Sequence, residues 1–167
     1  KKFAHSVSQL QALDKSSFVV EIGSNDGIML QNFIKDEIPC LGVEPSKNVA
    51  DIALKHDIPT INSFFNKESD KKLKDFAGNT DLICASNVIC HIPDLNELIE
   101  TIDMLLTSDG TFVFEEPYLG SMFEKVSYDQ IYDEHIYIFS ASSISKIFKK
   151  FNFELVDAIP QITHGGS

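Results

Sequence analysis

The sequence predicts an α/β fold, a parallel sheet with helices packed on both faces. Three observations carry that expectation. Short β-rich apolar runs alternate with stretches at helical spacing; the connections are short and marked by Gly, Pro or Asp; and the 167 residues, 43% hydrophobic and 23% charged, contain no internal repeat. Crossovers in such a sheet are right-handed, and ligands bind beyond the carboxyl ends of the strands, where strand order reverses. The chain reads as one domain, a leading helix within residues 1–14 followed by an α/β core over 15–167.

Phe18, Val19, Val20, Glu21 and Ile22 make the first strand, which stops at Gly23. Residues 28–35 follow at mostly helical spacing, with Ile28, Leu30, Phe33 and Ile34 apolar. Residues 40–44 form the second strand, halted by Pro45. Ser46 stands where it can cap a helix whose apolar face is Val49, Ile52 and Ala53. Residues 58–61 are a short third strand, and the charged stretch 67–74 reads as a solvated helix face. Residues 81–85 are the fourth strand. A helix then opens near Pro93, buries Leu95, Leu98, Ile99, Ile102, Leu105 and Leu106, and ends at the Asp109-Gly110 turn signal. Residues 111–116 are a fifth strand, 140–151 a helix with Ile144, Ile147, Phe148 and Phe151 inward, and 153–159 a sixth strand. The longest stretch without a pattern, 117–139, is rich in aromatics and acids, and such segments are often functional.

Charge narrows the partners. Fourteen Lys, with no Arg, face 25 Asp and Glu, a formal net charge of −11. Nucleic acid and anionic membrane surfaces both want a basic face, so neither is expected. No apolar run has the roughly 18 residues of a membrane span. Cys40, Cys84 and Cys90 stand in no CxxC spacing, which suggests reduced thiols and a cytoplasmic setting.

Chemistry gathers at the strand ends. The first strand runs into Gly23-Ser24-Asn25-Asp26-Gly27, where glycines let backbone approach a ligand and a following helix start offers unpaired N–H groups to an anion. The Gly23-xxx-Gly27 spacing is not the GxGxxG of dinucleotide binders. Glu44 closes the second strand, where a carboxylate accepts the hydrogen bonds of a ribose diol. Together these describe a nucleoside with a small anionic tail, which fits S-adenosylmethionine. Ser63, Phe64 and Phe65 follow the third strand, with aromatic rings to flank an adenine, although one of the two is expected to be core. Ser86 and Asn87 follow the fourth, at the methionine end; an Asn there also suits a turn for its own backbone reasons.

Further motifs carry a family resemblance. Glu21-x-Gly23-x-Asn25-Asp26-Gly27, Gly42-x-Glu44-Pro45-Ser46, Cys90-His91-Ile92-Pro93, Tyr132-x-Glu134-His135, Tyr137-x-Phe139-Ser140 and His164-Gly165-Gly166 occur in order. The set resembles the S-adenosylmethionine-dependent sugar C-methyltransferases that act on nucleotide-linked 4-ketohexoses. The resemblance implies the Rossmann-like class I methyltransferase fold, here without the final antiparallel strand. It also implies a longer parent protein, with a zinc-binding domain before this region and another domain after it. An O- or N-methyltransferase of a small metabolite, and a cofactor-binding domain inactive in isolation, are the alternative functions.

Methylating carbon requires a base to remove a hydrogen beside a ketone, and a group to hold the enolate oxygen. His suits the first role, because its pKa lies near neutrality. His135 is the expected base. On a helix, Tyr132 would share its face, with Tyr128 one turn back, and would reach the sugar or the enolate oxygen. Glu134 is expected to orient a neighbour or bind a sugar hydroxyl. His91 either shares in proton transfer or only caps the next helix. His91, Glu134 and His135 have no HxxxH-type spacing, and no metal is assigned. His164 has no derived role, and Tyr118 either lines or covers an acceptor pocket.

Overall fold

A computed structural model describes residues 2–66 and 71–167, apart from the side chains of Tyr128 and His164. The expected charged stretch therefore lies partly outside the described residues. By compactness the chain divides into two units, Lys1–Ala85 with Thr101–Phe114, and Ser86–Glu100 with Glu115–Ser167.

The first unit carries the sheet. Strands β1 (Val19–Ile22), β2 (Cys40–Val43), β3 (Thr60–Ile61), β4 (Thr80–Ser86) and β5 (Leu106–Glu115) lie in the order β3-β2-β1-β4-β5. β1 pairs parallel to both β2 and β4, and β2 pairs parallel to β3. This is the expected α/β sheet. Strand order reverses beside β1, so the turn after it lies where ligands of such sheets bind. All four residues of β1 are buried, which is why the strand reads as a continuous run and not as an alternation.

Helices α1 (Lys2–Leu10), α2 (Leu30–Lys35), α3 (Lys47–Lys55) and α4 (Lys71–Lys74) belong to this unit. Ala4 and Val7 of α1, Leu30 and Phe33 of α2 and Ala53 of α3 share one core cluster with Val19, Cys40, Ile58, Leu82 and Cys84. Two helix faces differ from expectation. Ile28 and Ile34 are exposed, so α2 points only Leu30 and Phe33 inward. α3 buries Ala50 and Ala53, and Ile52 is left exposed. Both helices are short, and two small or well-spaced side chains suffice to seat each of them.

α5 (Leu95–Leu105) buries Leu98, Ile99, Ile102 and Leu105 as expected, with Leu95 half-buried. Asp109-Gly110 does not end it. The helix stops at Leu105 and β5 begins at once, so the turn signal lies inside an edge strand.

The second unit holds α6 (Leu119–Lys125), α7 (Ala141–Lys149) and short 3-10 turns at Ile89–His91, Tyr128–Gln130 and Thr163–Gly165. The patternless stretch is thus partly helical. Ser140 and Ser143 form a reciprocal capping box that fixes the start of α7, which buries Ile144 and Phe148. The expected sixth strand is absent: residues 153–159 take no regular structure, and Val156 is 81% exposed. β-propensity alone does not make a strand without a neighbour to complete its ladder. Among the described residues, no helix is long and apolar enough to cross a membrane.

Candidate active site

The turn after β1 is built by side chains that bond backbone. Gly23 (φ 65°), Asn25 (φ 53°) and Gly27 (φ 80°) take left-handed conformations, open to Gly and tolerated by Asn. A Cβ on Gly27 would collide with the Ile58 side chain. One expectation fails here. The backbone N–H groups of residues 23–28 are all spent: Gly23 and Ser24 donate to Val43 O, Asn25 to Glu44, Asp26 to Asn25 Oδ1, Gly27 to Ser24 O and Ile28 to Asp26 Oδ1. Moreover α2 starts only at Leu30. Asn and Asp side chains compete for the N–H groups that a helix start would have left open, so the turn is no anion cradle.

Acids surround it instead. Glu21, in the middle of β1, is 5% exposed and its Oε2 has no hydrogen-bond partner. Burial, with Asp26 and Glu44 adding repulsion, pushes its carboxyl up from 4.5 to about 8. Held neutral, Glu21 can still accept a hydrogen bond at its unpartnered oxygen, while Asp26 and Glu44 beside it are the acids that would face a ligand bearing positive charge, as a sulfonium and an ammonium do. Glu44 is buried and already employed: Oε2 accepts from Asn25 N at 3.0 Å and Oε1 from Ser46 N at 2.8 Å. A carboxylate offers about four lone-pair sites, so two stay open to a diol. Ser46 occupies the N-cap position of α3 without a side-chain capping bond. Ser63 N donates to Glu44 O at 3.2 Å. Phe64 is 70% exposed and Phe65 8%, so the pair divides as expected into one exposed ring and one core ring.

The remaining expected residues belong to the second unit. Ser86 is exposed. Asn87 has φ 55°, and its N donates to Glu115 O at 2.8 Å, while its Oδ1 is buried without a partner. The turn reading and an orphaned polar atom are thus both present at one residue.

His91, Tyr132, Glu134 and His135 come together. Tyr132 and His135 share not a helix face but a turn, closed by His135 N donating to Tyr132 O at 3.0 Å. The Tyr132 hydroxyl lies 2.7 Å from His135 Nε2, and Gln130 O lies 2.9 Å from His135 Nδ1. A carbonyl only accepts, so Nδ1 carries the proton and Nε2 is the bare nitrogen receiving the phenol's O–H. His91 follows the same logic, its Nδ1–H donating to Glu134 O at 2.6 Å. The rings of His91 and His135 stand 5.0 Å apart. Glu134 thus orients a neighbour through its carbonyl, and it lines an open depression together with His91, Asp133 and Ile136. The capping role weighed for His91 belongs to Asp94, whose Oδ1 accepts from Asn96 N and Glu97 N.

Glu116 escaped sequence reasoning. Its buried Oε1 accepts from Val88 N at 2.8 Å and Ile89 N at 2.7 Å, anchoring the turn that carries Cys90 and His91. Its position after β5 was the only signal. Glu116→Ala is expected to cost roughly 3 kcal/mol of stability, because two N–H groups lose their acceptor, with Glu116→Gln costing less; urea unfolding measures both. Gly165 and Gly166 also gain a structural role, since their carbonyls accept from Lys125 Nζ and Tyr118 N. Tyr118 is 41% exposed, and it bridges to Phe139. The three cysteines are free and buried; burial pushes the Cys40 thiol up to about 11 and raises the Cys84 and Cys90 thiols well above the ordinary range.

Comparison with known proteins adds to this geometry. Residues 1–158 match the family model described as a methyltransferase domain. The chain is 32% identical over 155 residues to the C-methyltransferase NovU of Streptomyces niveus, covering 93% of this chain and 37% of that protein's length. It therefore spans little over a third of that relative. Among solved structures, a putative sarcosine dimethylglycine methyltransferase from Galdieria sulphuraria superposes with a TM-score of 0.76 at 11% identity, over 96% of this chain and 63% of the other. Phosphoethanolamine N-methyltransferase 2 of Haemonchus contortus, in complex with S-adenosyl-L-methionine, gives 0.61 at 18% identity, over 89% and 36%. At those identities the likeness is one of fold.

Proposed function

Because the chain belongs to the methyltransferase domain family, an S-adenosylmethionine-dependent class, we propose that it methylates a carbon beside the ketone of a nucleotide-linked 4-keto deoxysugar. The similarity to a C-methyltransferase supports carbon as the acceptor. The observation that carries the reading is the bare Nε2 of His135, held by Gln130 O on the far side of the ring and by the Tyr132 hydroxyl on the near side.

S-adenosylmethionine, when bound, supplies an electrophilic methyl group. In this reading Gly23, Asn25, Asp26 and Gly27 form its turn, Glu44 and Ser46 take the ribose side, Ser63 and Phe64 flank the adenine over a Phe65 floor, and Ser86 and Asn87 take the methionine end. His135 Nε2 removes the proton from the carbon beside the ketone. The Gln130 carbonyl, facing Nδ1–H, steadies the resulting imidazolium. Tyr132 O–H leaves Nε2 before the proton is taken, freeing that lone pair, and turns to the ketone oxygen that becomes the enolate. Neutral His91 presents a bare Nε2, so it relays a proton, and it supports an oxyanion only when protonated. Asp133 and Glu134 supply acceptors for sugar hydroxyls at the depression. The three reduced thiols support a cytoplasmic setting.

Calorimetry tests the donor half. S-adenosylmethionine and S-adenosylhomocysteine are expected to bind and NAD to give no heat. Glu44→Ala should weaken binding by at least tenfold, since it removes both the diol acceptor and the anchors of Asn25 and Ser46. Binding of NAD in place of the methyl donor would overturn the assignment.

A further inference from the structure

We propose that Cys90, His91 and His135 form a site for one divalent cation of the zinc class. Each residue offers one ligand atom, and the three atoms lie within 4.8 Å of one another. A thiolate with two imidazole nitrogens is a donor set that selects zinc over magnesium or calcium. Ligand atoms about 2.0–2.3 Å from a tetrahedral zinc stand about 3.5 Å apart. A bound zinc would draw the three atoms about 1 Å closer together.

Two independent features point the same way. Both imidazoles donate Nδ1–H to a backbone carbonyl, Glu134 O for His91 and Gln130 O for His135. This outer-shell arrangement fixes the tautomer and the ring and leaves each Nε2 without a proton, that of His135 accepting the Tyr132 hydroxyl until a metal replaces it. Asp133 and Glu134 line the same open depression as His91, so negative charge surrounds the approach. Cys90 is 1% exposed, and its own carbonyl accepts from Tyr137 N at 3.2 Å, so its backbone position is held.

Binding is an exchange of proton for metal. The thiol S–H proton passes to solvent as the Sγ–metal bond forms, and the Tyr132 hydroxyl yields its place at His135 Nε2, with water filling the fourth position. No redox partner is involved. Residues 90, 91 and 135 match no motif spacing; a 3-10 turn and a distant loop bring them together. The metal takes the same lone pair that the proposed base uses, so metal occupancy and proton abstraction exclude each other. Metal binding itself stands whether or not that function is correct.

Cobalt(II) titration of the whole protein provides the test. One equivalent should bind, with intense visible bands of tetrahedral cobalt and a near-ultraviolet thiolate charge-transfer band. Cys90→Ser should remove the charge-transfer band, and His91→Asn should weaken binding by about tenfold or more. Should Cys90→Ser fail to fold, X-ray absorption on the zinc-loaded wild type decides. One sulfur at about 2.3 Å with nitrogen or oxygen at about 2.0 Å upholds the site. A shell without sulfur, or the absence of stoichiometric cobalt uptake, overturns it.

Discussion

Replacing His135 by asparagine is expected to slow deuterium wash-out at the carbon beside the ketone by about 10²–10⁴-fold, the usual worth of a positioned general base. The structure makes this a sharp expectation, because Nδ1–H is committed to Gln130 O and only Nε2 is open to take a proton. Asparagine keeps a donor for that carbonyl and loses the basic nitrogen. Cofactor affinity, measured by calorimetry, should hardly change, since His135 has no expected contact with the donor. Tyr132→Phe should give a smaller loss, because the phenol assists the enolate oxygen but takes no proton from carbon. Wash-out at the wild-type rate in His135→Asn would remove the residue from the base role.

The second large effect concerns folding stability and pH. Glu21 has its carboxyl raised from 4.5 to about 8, first by burial and then by Asp26 and Glu44. Between those values the folded state holds a proton that the unfolded chain has released. Stability contributed by the neutral carboxyl is therefore complete below about pH 4.5 and is lost as pH rises through about 8. The full loss is on the order of 5 kcal/mol. Glu21→Gln keeps the shape and cannot ionise, so its stability should stay nearly flat from about pH 5 to about pH 8.5 while the wild type declines. Urea unfolding in the absence of ligand gives both curves; parallel curves would mean that Glu21 is solvated and unshifted.

Expectation and structure part in informative places. β1 through β4 were legible because each is a short apolar run bounded by Gly, Pro or Asp. The same criterion misled at 153–159, where a run of strand-forming residues has no ladder partner. At 106–110 it erred the other way, since Asp109 and Gly110 are tolerated in the edge strand β5. The site shows a similar split. Gly23 and Gly27 were legible as turn glycines, and both take left-handed conformations, while Glu44 was legible as the acid closing β2. That three of the turn's N–H groups are consumed by the side chains of Asn25, Asp26 and Glu44 was invisible, because it depends on which rotamers reach which backbone. The anchoring by Glu116 and the approach of Cys90 and His91 to His135 were hidden for the same reason, being contacts between residues far apart in sequence.

Sequence alone determined the α/β class, the parallel order implied by alternating elements, the acid at the end of β2 and the candidates His91, Tyr132, Glu134 and His135. Those follow from local periodicity, turn chemistry and motif, all written within a few residues of one another. Tertiary structure decided which histidine nitrogen is bare, that Tyr132 meets His135 through a turn, that Glu21 is an unpartnered buried acid, and that Asp94, not His91, caps α5. Proton placement and burial are set by neighbours brought from elsewhere in the chain, and no local pattern records them.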